Sequence, residues 1–335
     1  MNIPSFEINN NILNLVTKIT EKLTKLEMNS DRKKNLYLRK ISKIKSVNSS
    51  CAIEANTLTE EEVMTVINGR SIVAPQKEII EVKNAYNVYD NILEFDPYTV
   101  ESFLSAHMLL TANLIKENGK FRTGDVGVYE ENKVIHIGAR PEYVPKLIED
   151  LFIWAEKTDL NPLVKSSIVH FEIEFIHPFN DGNGRIGRLW QSLILYKYNK
   201  IFEYLPIETL VYENQKKYYE ALAKSEIVAS STIFIEFMLE MILQTIDKFD
   251  VNGVLEKIKK IAGLTNKESE ILKELLIYFD KNDTIDIKMA TAILNKNEAN
   301  TRKYLRKFIA LNILIPIGKT KGRKYKINKG AFENI

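Results

Sequence analysis

Apolar residues recur at three- and four-residue spacing along most of the chain. The spacing is clearest in NILNLVTKITEKLTKLEM, EIIEVKNAYNVYDNIL, TVESFLSAHMLLTANLI and PEYVPKLIEDLFIWAEK. This period places apolar side chains on one face of an α-helix and polar side chains on the opposite face. Glycine and proline, which weaken or end helices, are scarce. The pattern therefore predicts a mainly α-helical protein.

One internal stretch, residues 124–138 (GDVGVYEENKVIHIG), does not follow the helical period. Short runs with β-branched residues flank the polar pair Glu131 and Asn132. Two such runs around a polar turn are typical of a β-hairpin. We therefore expect one small hairpin inside the helical part of the chain.

The C-terminal sequence TIDIKMATAILNKNEANTRKYLRKFIALNILIPIGKTKGRKYKIN has another order of elements. It predicts a helix, a turn, a second helix and two short strands around GKTKGRK. That order is typical of a winged helix-turn-helix domain. The segment DKFDVNGVLEKIKKIAGLTNKES precedes it and is predicted to be a connector.

Composition and charge narrow the class of protein. Among 335 residues there are 47 Lys and Arg and 44 Asp and Glu, and this net charge of +3 does not by itself imply a global nucleic-acid or polyanion partner. The single Cys51 excludes an internal disulfide, and with four dispersed His it argues against a thiolate zinc site. The start MNIPSFEINNNIL lacks a signal-peptide pattern, and no later run is apolar enough to cross a bilayer. We expect a soluble cytoplasmic protein without a membrane partner.

The stretch HPFNDGNGRIGR, from His177 to Arg188, combines a helix end, a tight loop and a helix start. Pro178 stops the preceding apolar helix, and RIGRLWQSLILYKY resumes the helical pattern. The loop DGNG then presents backbone N–H groups at a helix N-terminus, which is an anion site. Gly182 and Gly184 lack a Cβ, so a phosphate can approach the backbone closely.

The side chains of this stretch suit phosphate chemistry. Arg185 and Arg188 lie three residues apart, on one face of the first helical turn, where two guanidinium groups suit a di- or triphosphate. Asp181 can hold Mg²⁺ against phosphate oxygens, and His177 can take a proton at neutral pH. Phe179 is expected to anchor the loop in the core. The alternative is an ordinary helix-loop-helix corner, but the combination favours group transfer from a phosphate with a histidine base.

This stretch resembles the Fic family motif, His-Pro-Phe-x-Asp/Glu-Gly-Asn-Gly-Arg-x-x-Arg, at every specified position. Members of that family are helical and mostly transfer AMP from ATP to a hydroxyl of a target protein. The resemblance implies that His177 is the general base and Asp181 the Mg²⁺ ligand. It also implies that residues 182–184 form the anion nest, that Arg185 supports the α/β-phosphate region and that Arg188 holds the γ-phosphate.

A second stretch, SSCAIEANTLTEEEV from Ser49, has meaning only beside this motif. On a helix Ser50 and Glu54 share a face, and alone they indicate an ordinary helix end before a new helix start at TEEE. The Fic resemblance implies an inhibitory helix of the pattern Ser/Thr-x-x-x-Glu, whose Glu54 pairs with Arg188 and blocks productive ATP binding. Ala55 departs from the family, which usually has Gly or Asn there.

The resemblance extends to two further elements. The hairpin resembles the family's flap, which aligns the target segment by main-chain hydrogen bonds, with His136 and Ile137 as candidate contacts; alternatively it is a surface hairpin without a partner. In QKKYYEALAKSE, Tyr219 corresponds to the tyrosine that lines the nucleotide base pocket, or is a core tyrosine. Relatives often place Asn seven residues after it, where this chain has Glu226, so the base contact is less defined than the phosphate site.

The tail is strongly basic, with eleven Lys or Arg and one acid between Lys296 and Lys329. In a winged helix-turn-helix domain, the second helix is the recognition helix and the strands form the wing. Basic residues on both would contact DNA phosphates, although many modules of this kind bind proteins or pack in a dimer. The predicted contacts are Arg302, Lys303, Arg306 and Lys307 in the helix, and Lys319, Lys321, Arg323 and Lys324 in the wing.

Together these patterns predict a Fic-type helical bundle with a small β-hairpin flap and a C-terminal winged helix-turn-helix domain. The predicted parts are an N-terminal helical region at 1–95 with the inhibitory helix near 50–56, a core at 96–245, a connector at 246–263 and the winged domain at 264–335. The predicted function is self-inhibited AMP transfer from ATP, with Mg²⁺, to Ser, Thr or Tyr of an unknown target or of the protein itself. The alternatives are phosphate transfer, removal of AMP from a modified protein, a DNA-bound nucleotide sensor, or a purely structural Fic domain.

Overall fold

The computed structural model describes residues 3–28, 36–130, 133–249, 263–279, 282–318 and 322–328. The described chain is mainly α-helical, which confirms the prediction from the hydrophobic period. It divides into two compact units, residues 1–246 and residues 247–335. Most of the predicted connector, residues 250–262, lies outside the described residues. None of the helices in the described ranges is long and apolar enough to cross a membrane.

The first unit is built from α-helices joined by short loops and 3-10 turns. Its described helices are α1 (Asn10–Met28), α2 (Leu36–Ile53), α3 (Glu60–Ile67), α4 (Gln76–Asp90), α5 (Val100–Leu110), α6 (Val144–Lys157), α7 (Pro162–Ile176), α8 (Asn183–Tyr198), α9 (Ile207–Glu213), α10 (Gln215–Ile227) and α11 (Thr232–Phe249). The 3-10 turns are Ile92–Glu94, Pro141–Tyr143 and Lys200–Tyr204.

Helices α7 and α8 form the centre of this unit and pack along each other. Helix α7 begins at Pro162 behind an Asn161 cap, whose side chain accepts from the Leu163 N–H. The aromatic rings of Phe103, Phe152 and Trp190 contact one another in the core beneath these helices. The connection between α7 and α8 is therefore held between two well-buried helices.

Helix α2 packs against α4 and α9 and ends beside the start of α8. Its last turn closes with a Schellman motif, in which the Asn56 N–H donates to the Cys51 carbonyl at 3.1 Å and the Ala55 N–H to the Ala52 carbonyl at 3.0 Å. Ala55 takes the left-handed conformation, with φ of 67°. The motif fixes Glu54 as the last residue of the turn.

A two-stranded antiparallel sheet, β1 (Gly127–Glu130) and β2 (Lys133–Ile137), follows α5. Its turn, with Glu131 and Asn132, lies outside the described residues. The Gly138 N–H donates to the Val126 carbonyl and closes the base of the hairpin, and the Ala139 N–H donates to the Ile176 carbonyl at the end of α7. This places the hairpin beside the connection between α7 and α8.

The second unit has its own apolar core. Its described elements are α12 (Asn266–Phe279), β3 (Ile285–Asp286), α13 (Ile287–Ile293), α14 (Glu298–Ala310), β4 (Leu314–Ile317) and β5 (Lys324–Ile327). The three strands are antiparallel in the order β3-β5-β4. Asp286 and Asn297 cap α13 and α14 with their side chains. Leu275, Leu305 and Phe308 are fully buried where the helices meet.

Candidate functional site

The loop between α7 and α8 carries the histidine of the sequence motif. His177 ends α7 in the left-handed conformation, with φ of 53° and ψ of 62°. Its Nδ1 lies 3.4 Å from the Glu174 carbonyl. The Nε of Arg122 donates to the His177 carbonyl at 2.7 Å. A donating Nδ1 leaves Nε2 with the lone pair, so this geometry prepares Nε2 to accept a proton.

Asn183 closes the loop on itself. Its Oδ1 accepts from the Phe179 N–H at 2.9 Å, and its Nδ2 donates to the Phe179 carbonyl at 2.8 Å. Phe179 is fully buried, and Gly182 takes the left-handed conformation, with φ of 88°, before α8 begins. The side chain of Asn183, expected from its sequence position to belong to the anion nest, thus shapes the loop that presents the backbone.

His107, on α5, supports the same loop. Its Nδ1 accepts from the Gly119 N–H at 3.0 Å, so Nε2 carries the proton and donates to the Asp181 carbonyl at 2.9 Å. The ring stacks on Phe179 with 3.6 Å between ring centroids. Burial lowers the pKa of His107 to about 4, which keeps the ring neutral at neutral pH.

Arg188 is buried between α8 and the end of α2, with 2% of its surface exposed. Its Nη2 donates to Glu54 Oε1 at 2.8 Å and to the Ser50 carbonyl at 3.0 Å. Its Nε donates to Ser50 Oγ at 3.0 Å. Burial alone would lower the pKa of Arg188, but the charge of Glu54, with Tyr218 and Glu174 beyond it, raises that pKa above its usual value.

The Glu54 carboxylate also lies against the backbone at the start of α8. A Cβ built on Gly184 would overlap Glu54 Oε1 and lie 3.0 Å from Arg188 Nη1. A glycine is therefore needed here for the carboxylate to approach the helix N-terminus, where negative charge is favoured. In this arrangement Glu54 stands where an anion would otherwise meet the N–H groups of α8.

Arg185 is equally buried but has other partners. Its Nη2 donates to Asp181 Oδ1 at 2.8 Å, and its Nη1 donates to Glu81 Oε1 on α4. Its Nε is buried without a hydrogen-bond partner in the described parts of the chain. The two arginines of the motif are thus each held by carboxylates rather than exposed on one helical face.

Glu174 is a further carboxylate beside His177 and Arg188. The Tyr218 hydroxyl donates to its Oε1 at 3.0 Å, and His170 Nε2 lies 3.7 Å from the same oxygen. Burial opposes its ionisation, but the neighbouring His170, followed by the charges of Arg188 and His177, lowers the pKa of Glu174 to about 2. Glu174 is therefore a buried carboxylate that favours its charged form beside His177 and Arg188.

The expected base-pocket tyrosine lies next to the end of α2. The Tyr219 side chain is partly exposed, and its hydroxyl donates to the Ile53 carbonyl at 3.3 Å. Gln215 Nε2 donates to the same carbonyl at 2.9 Å. The expected flap contacts, His136 and Ile137, lie in β2, but their side chains are outside the described part of the structure.

The structure offers one carboxylate that suits a magnesium ion in this loop. The Asp181 side chain is 43% exposed, so its oxygens can reach a ligand in the site. No group of three or more potential ligands lies together in the described residues. Mg²⁺ is commonly held by one or two carboxylates together with substrate phosphates, and Asp181 fits that mode of binding.

Four residues of the site were not predicted from the sequence: Glu81, His107, Arg122 and Glu174. Glu81 lies on the buried face of α4 with Ala85 and Val88, and His107 on the buried face of α5. A polar residue on an apolar helical stripe is the signal that could have marked both. The partners of Arg122 are backbone carbonyls, which no sequence pattern identifies.

Comparison with known proteins is consistent with this geometry. The sequence profile of the Fic/DOC family matches residues 97–195. A solved structure of a Fic family protein from Desulfovibrio desulfuricans G20 is 31% identical, covers 98% of both chains and superposes with a TM-score of 0.71. Fic-1 from Caenorhabditis elegans, at 21% identity, 71% coverage of this chain and 70% of that one, and a TM-score of 0.54, shares the fold.

Two curated relatives have names that state an activity. Protein adenylyltransferase fic-1 of Caenorhabditis elegans is 29% identical over an alignment of 185 residues that covers 51% of this chain and 34% of the relative. Protein adenylyltransferase Fic of Nematostella vectensis is 25% identical over 213 residues, 60% of this chain and 47% of the relative. The matches thus span between a third and a half of the length of these relatives.

Proposed function

Because this chain belongs to the Fic family, we propose that it transfers AMP from ATP to a Ser, Thr or Tyr hydroxyl of a target protein. One observation carries the proposal. A single loop brings together a histidine held for proton transfer, a helix N-terminus, a partly exposed carboxylate and two buried arginines. The names of the curated relatives support the same reaction class.

In the proposed reaction Nε2 of His177 accepts the proton of the target hydroxyl. The hydroxyl oxygen attacks the α-phosphorus of ATP, and the bond from that phosphorus to the oxygen bridging to the β-phosphate breaks. Pyrophosphate leaves with the electrons of that bond, and His177 releases its proton to solvent. Arg185, Arg188 and the N–H groups of residues 182–184 would bind the phosphates, so catalysis is mostly positioning and charge stabilisation.

Asp181 would hold Mg²⁺ together with phosphate oxygens, and the ion would supply charge neutralisation of the polyphosphate. In the structure Asp181 Oδ1 lies 2.8 Å from Arg185 Nη2. The partly exposed carboxylate has room to turn toward a ligand. ATP is the proposed co-substrate, although Glu226 in place of the family's Asn leaves the base contact for Tyr219 to make.

We also propose that Glu54 inhibits the protein from within the same chain. Its carboxylate occupies Arg188 and lies against Gly184. A γ-phosphate at this place would lose its arginine partner and meet a like charge. Ser50 supports the contact by accepting from Arg188 through its hydroxyl and carbonyl.

The hairpin is the proposed docking edge for the target. Its strands are antiparallel, and its base is bonded to the end of α7 beside His177. An extended target segment could add to such an edge by main-chain hydrogen bonds. Substitution of His136 and Ile137 by Ala tests their proposed role, with transfer to the target lowered and ATP binding retained as the supporting result.

The decisive experiment uses the full chain as wild type, Glu54→Gly and His177→Ala. Each is incubated with Mg²⁺, cell lysate and ATP labelled at the α- or the γ-phosphate. Label from α-ATP that is stronger in Glu54→Gly and absent in His177→Ala supports AMP transfer and self-inhibition, and a labelled band of the chain's own mass identifies self-modification. Label from γ-ATP alone indicates phosphate transfer, and no label in any variant contradicts a transferase that uses ATP.

For the second unit we propose a winged helix-turn-helix domain that binds DNA through α14. Lys303 and Arg306 are exposed on that helix. Arg323, which precedes β5, and Lys324, its first residue, are exposed as well. Arg302 pairs with Glu298, and Lys307 with Glu268 at 2.7 Å, which weakens their part in an anionic contact. Lys319 and Lys321 lie outside the described residues.

Binding to duplex DNA at several salt concentrations tests this second role. We expect the affinity for DNA to fall steeply as the salt concentration rises. Both the affinity and its salt dependence should decrease in a Lys303→Glu, Arg306→Glu variant. They should stay unchanged in the charge-matched Lys197→Glu, Lys200→Glu variant. No binding at low salt contradicts the role. A dimer in light scattering without DNA binding would indicate instead a contact between two copies of the chain.

A further inference from the structure

Glu81 is a buried carboxylate whose two oxygens have different partners. Its Oε1 accepts from Arg185 Nη1, and its Oε2 accepts from Asn56 Nδ2 at 2.7 Å. Asn56 is also held by the Glu78 carbonyl at 3.3 Å. A carboxylate fixed at both oxygens cannot rotate freely, so it imposes one orientation on the guanidinium that it holds.

The two carboxylates on Arg185 differ in their freedom to move. Asp181 is partly exposed and belongs to the loop itself, whereas Glu81 is 7% exposed and comes from α4. A ligand that draws Asp181 away would leave Arg185 with Glu81 as its remaining carboxylate. Without Glu81, the buried guanidinium would have no carboxylate partner whenever Asp181 turns away before a ligand anion reaches it, which is strongly unfavourable.

Glu81 occupies only one end of the Arg185 guanidinium. Glu81 holds Nη1, while Nε is buried without a partner in the described residues and Nη2 is shared with Asp181. Nε and Nη2 together form the edge that binds phosphate oxygens in bidentate fashion. The contact with Glu81 therefore leaves this edge for an anion.

We propose that Glu81 is a positioning residue for nucleotide binding, which holds the Arg185 guanidinium so that its Nε and Nη2 edge receives the polyphosphate of ATP. The inference rests on the proposed function. Asn56 contributes by fixing the second oxygen of Glu81. Glu81 acts through Arg185, so its loss weakens the recognition of phosphate and leaves the recognition of the nucleoside unchanged.

Glu78 provides a matched control on the same helix. Its Oε2 accepts from the Thr57 N–H at 2.7 Å and from the Thr57 hydroxyl at 2.8 Å. Glu78 and Glu81 both hold the segment that follows Glu54, Glu81 through Asn56 and Glu78 through Thr57. The carboxylate contacts of Glu78 are with Thr57 and not with Arg185. Loss of its charge reports the purely structural effect of loosening that segment.

The experiment uses the full chain with Glu54→Gly, so that the inhibitory carboxylate is absent. Glu81→Gln, Asn56→Ala and Glu78→Gln are added one at a time. Binding of a non-hydrolysable ATP analogue with Mg²⁺ is measured by calorimetry, binding of adenosine by NMR and folding by thermal unfolding. We expect Glu81→Gln to weaken the ATP analogue about tenfold and Asn56→Ala about threefold, in proportion to the loss of a charged and of a neutral contact to the site. Adenosine binding should be unchanged.

Equal weakening of the ATP analogue by Glu81→Gln and Glu78→Gln would overturn the inference, as would a parallel loss of adenosine binding. If Glu81→Gln fails to fold, the Asn56→Ala variant decides the question, because it leaves the Glu81–Arg185 pair in place. Absence of ATP binding in the Glu54→Gly parent would contradict the proposed function itself. Equal binding of the ATP analogue in all variants is a different result, and it would contradict only the positioning role of Glu81.

Discussion

Glu54 and Arg188 are 134 residues apart in the chain, yet Glu54 Oε1 and Arg188 Nη2 lie 2.8 Å apart. The arginine is almost fully buried and the glutamate is about one-third exposed. Solvent reaches only one partner of the pair, so the glutamate is the side chain that can leave. The guanidinium would then need another anion, and the N-terminus of α8 lies beside it to help bind one.

The contact between Glu54 and Gly184 predicts a change of sign in a stability measurement. Gly184→Ala in the wild type should lower the free energy of unfolding by about 1–2 kcal/mol, because the new Cβ overlaps the Glu54 carboxylate. In a Glu54→Gly background the same change should be neutral or stabilising by up to about 1 kcal/mol, because Ala is the better helix former. Urea unfolding of the four proteins checks this. Equal destabilisation in both backgrounds would show that the carboxylate does not constrain Gly184.

Ala55 in the left-handed conformation predicts a stabilising substitution. Ala55→Gly should raise the free energy of unfolding by about 1 kcal/mol, because glycine accepts φ of 67° without a steric penalty. Ala52→Gly, three residues earlier inside α2, is the control and should lower it by about 1 kcal/mol. Thermal or urea unfolding measures both. A loss of stability in Ala55→Gly would contradict the Schellman geometry at the end of α2.

His107 predicts a pH dependence of stability. Burial lowers its folded pKa to about 4 from the usual 6.5, so the unfolded chain binds more protons between these values. The contribution is complete above pH 6.5 and is lost as the pH falls toward 4, by about 3 kcal/mol in total. Urea unfolding from pH 4 to pH 7.5 should therefore show a steeper loss in the wild type than in His107→Gln. Identical pH profiles would rule out a neutral buried ring at this position.

Arg122 predicts a joint loss of stability and activity. Its guanidinium donates to the carbonyls of His177, Gly124 and Ala139, which flank the hairpin and the candidate general base. Arg122→Met should lower the free energy of unfolding by about 2–4 kcal/mol, because several buried carbonyls lose a charged donor.

The proposed AMP transfer should fall with it, since the His177 backbone would lose its restraint. Arg140→Met is the control, because Arg140 is exposed in the same region and its loss should change stability by no more than about 0.5 kcal/mol. If both variants behaved alike in unfolding and transfer assays, Arg122 would have no special part in the site.

The helical class and the position of the loop could be predicted from sequence because both are local properties. The spacing of apolar residues specifies helices, and Pro178 with the following glycines specifies where α7 ends and α8 begins. The motif residues lie within twelve consecutive positions, so their proximity follows from the chain itself. The end of α5 could not be predicted from the same pattern, because apolar residues continue to Ile115 but the helix ends at Leu110.

Local sequence patterns do not identify the partners of the motif arginines; the family resemblance implied the Glu54–Arg188 pair, and the other contacts required the tertiary structure. Local helical geometry places Arg185 and Arg188 on one face, but packing surrounds one with Glu81 and Asp181 and the other with Ser50 and Glu54. These contacts depend on how α2 and α4 pack against α8. The hydrophobic period within a helix does not encode that packing. The sequence by itself thus determined the helices and the chemical groups of the loop, whereas the fold decided which carboxylates hold those groups, because buried charges take their partners from elements distant in the chain.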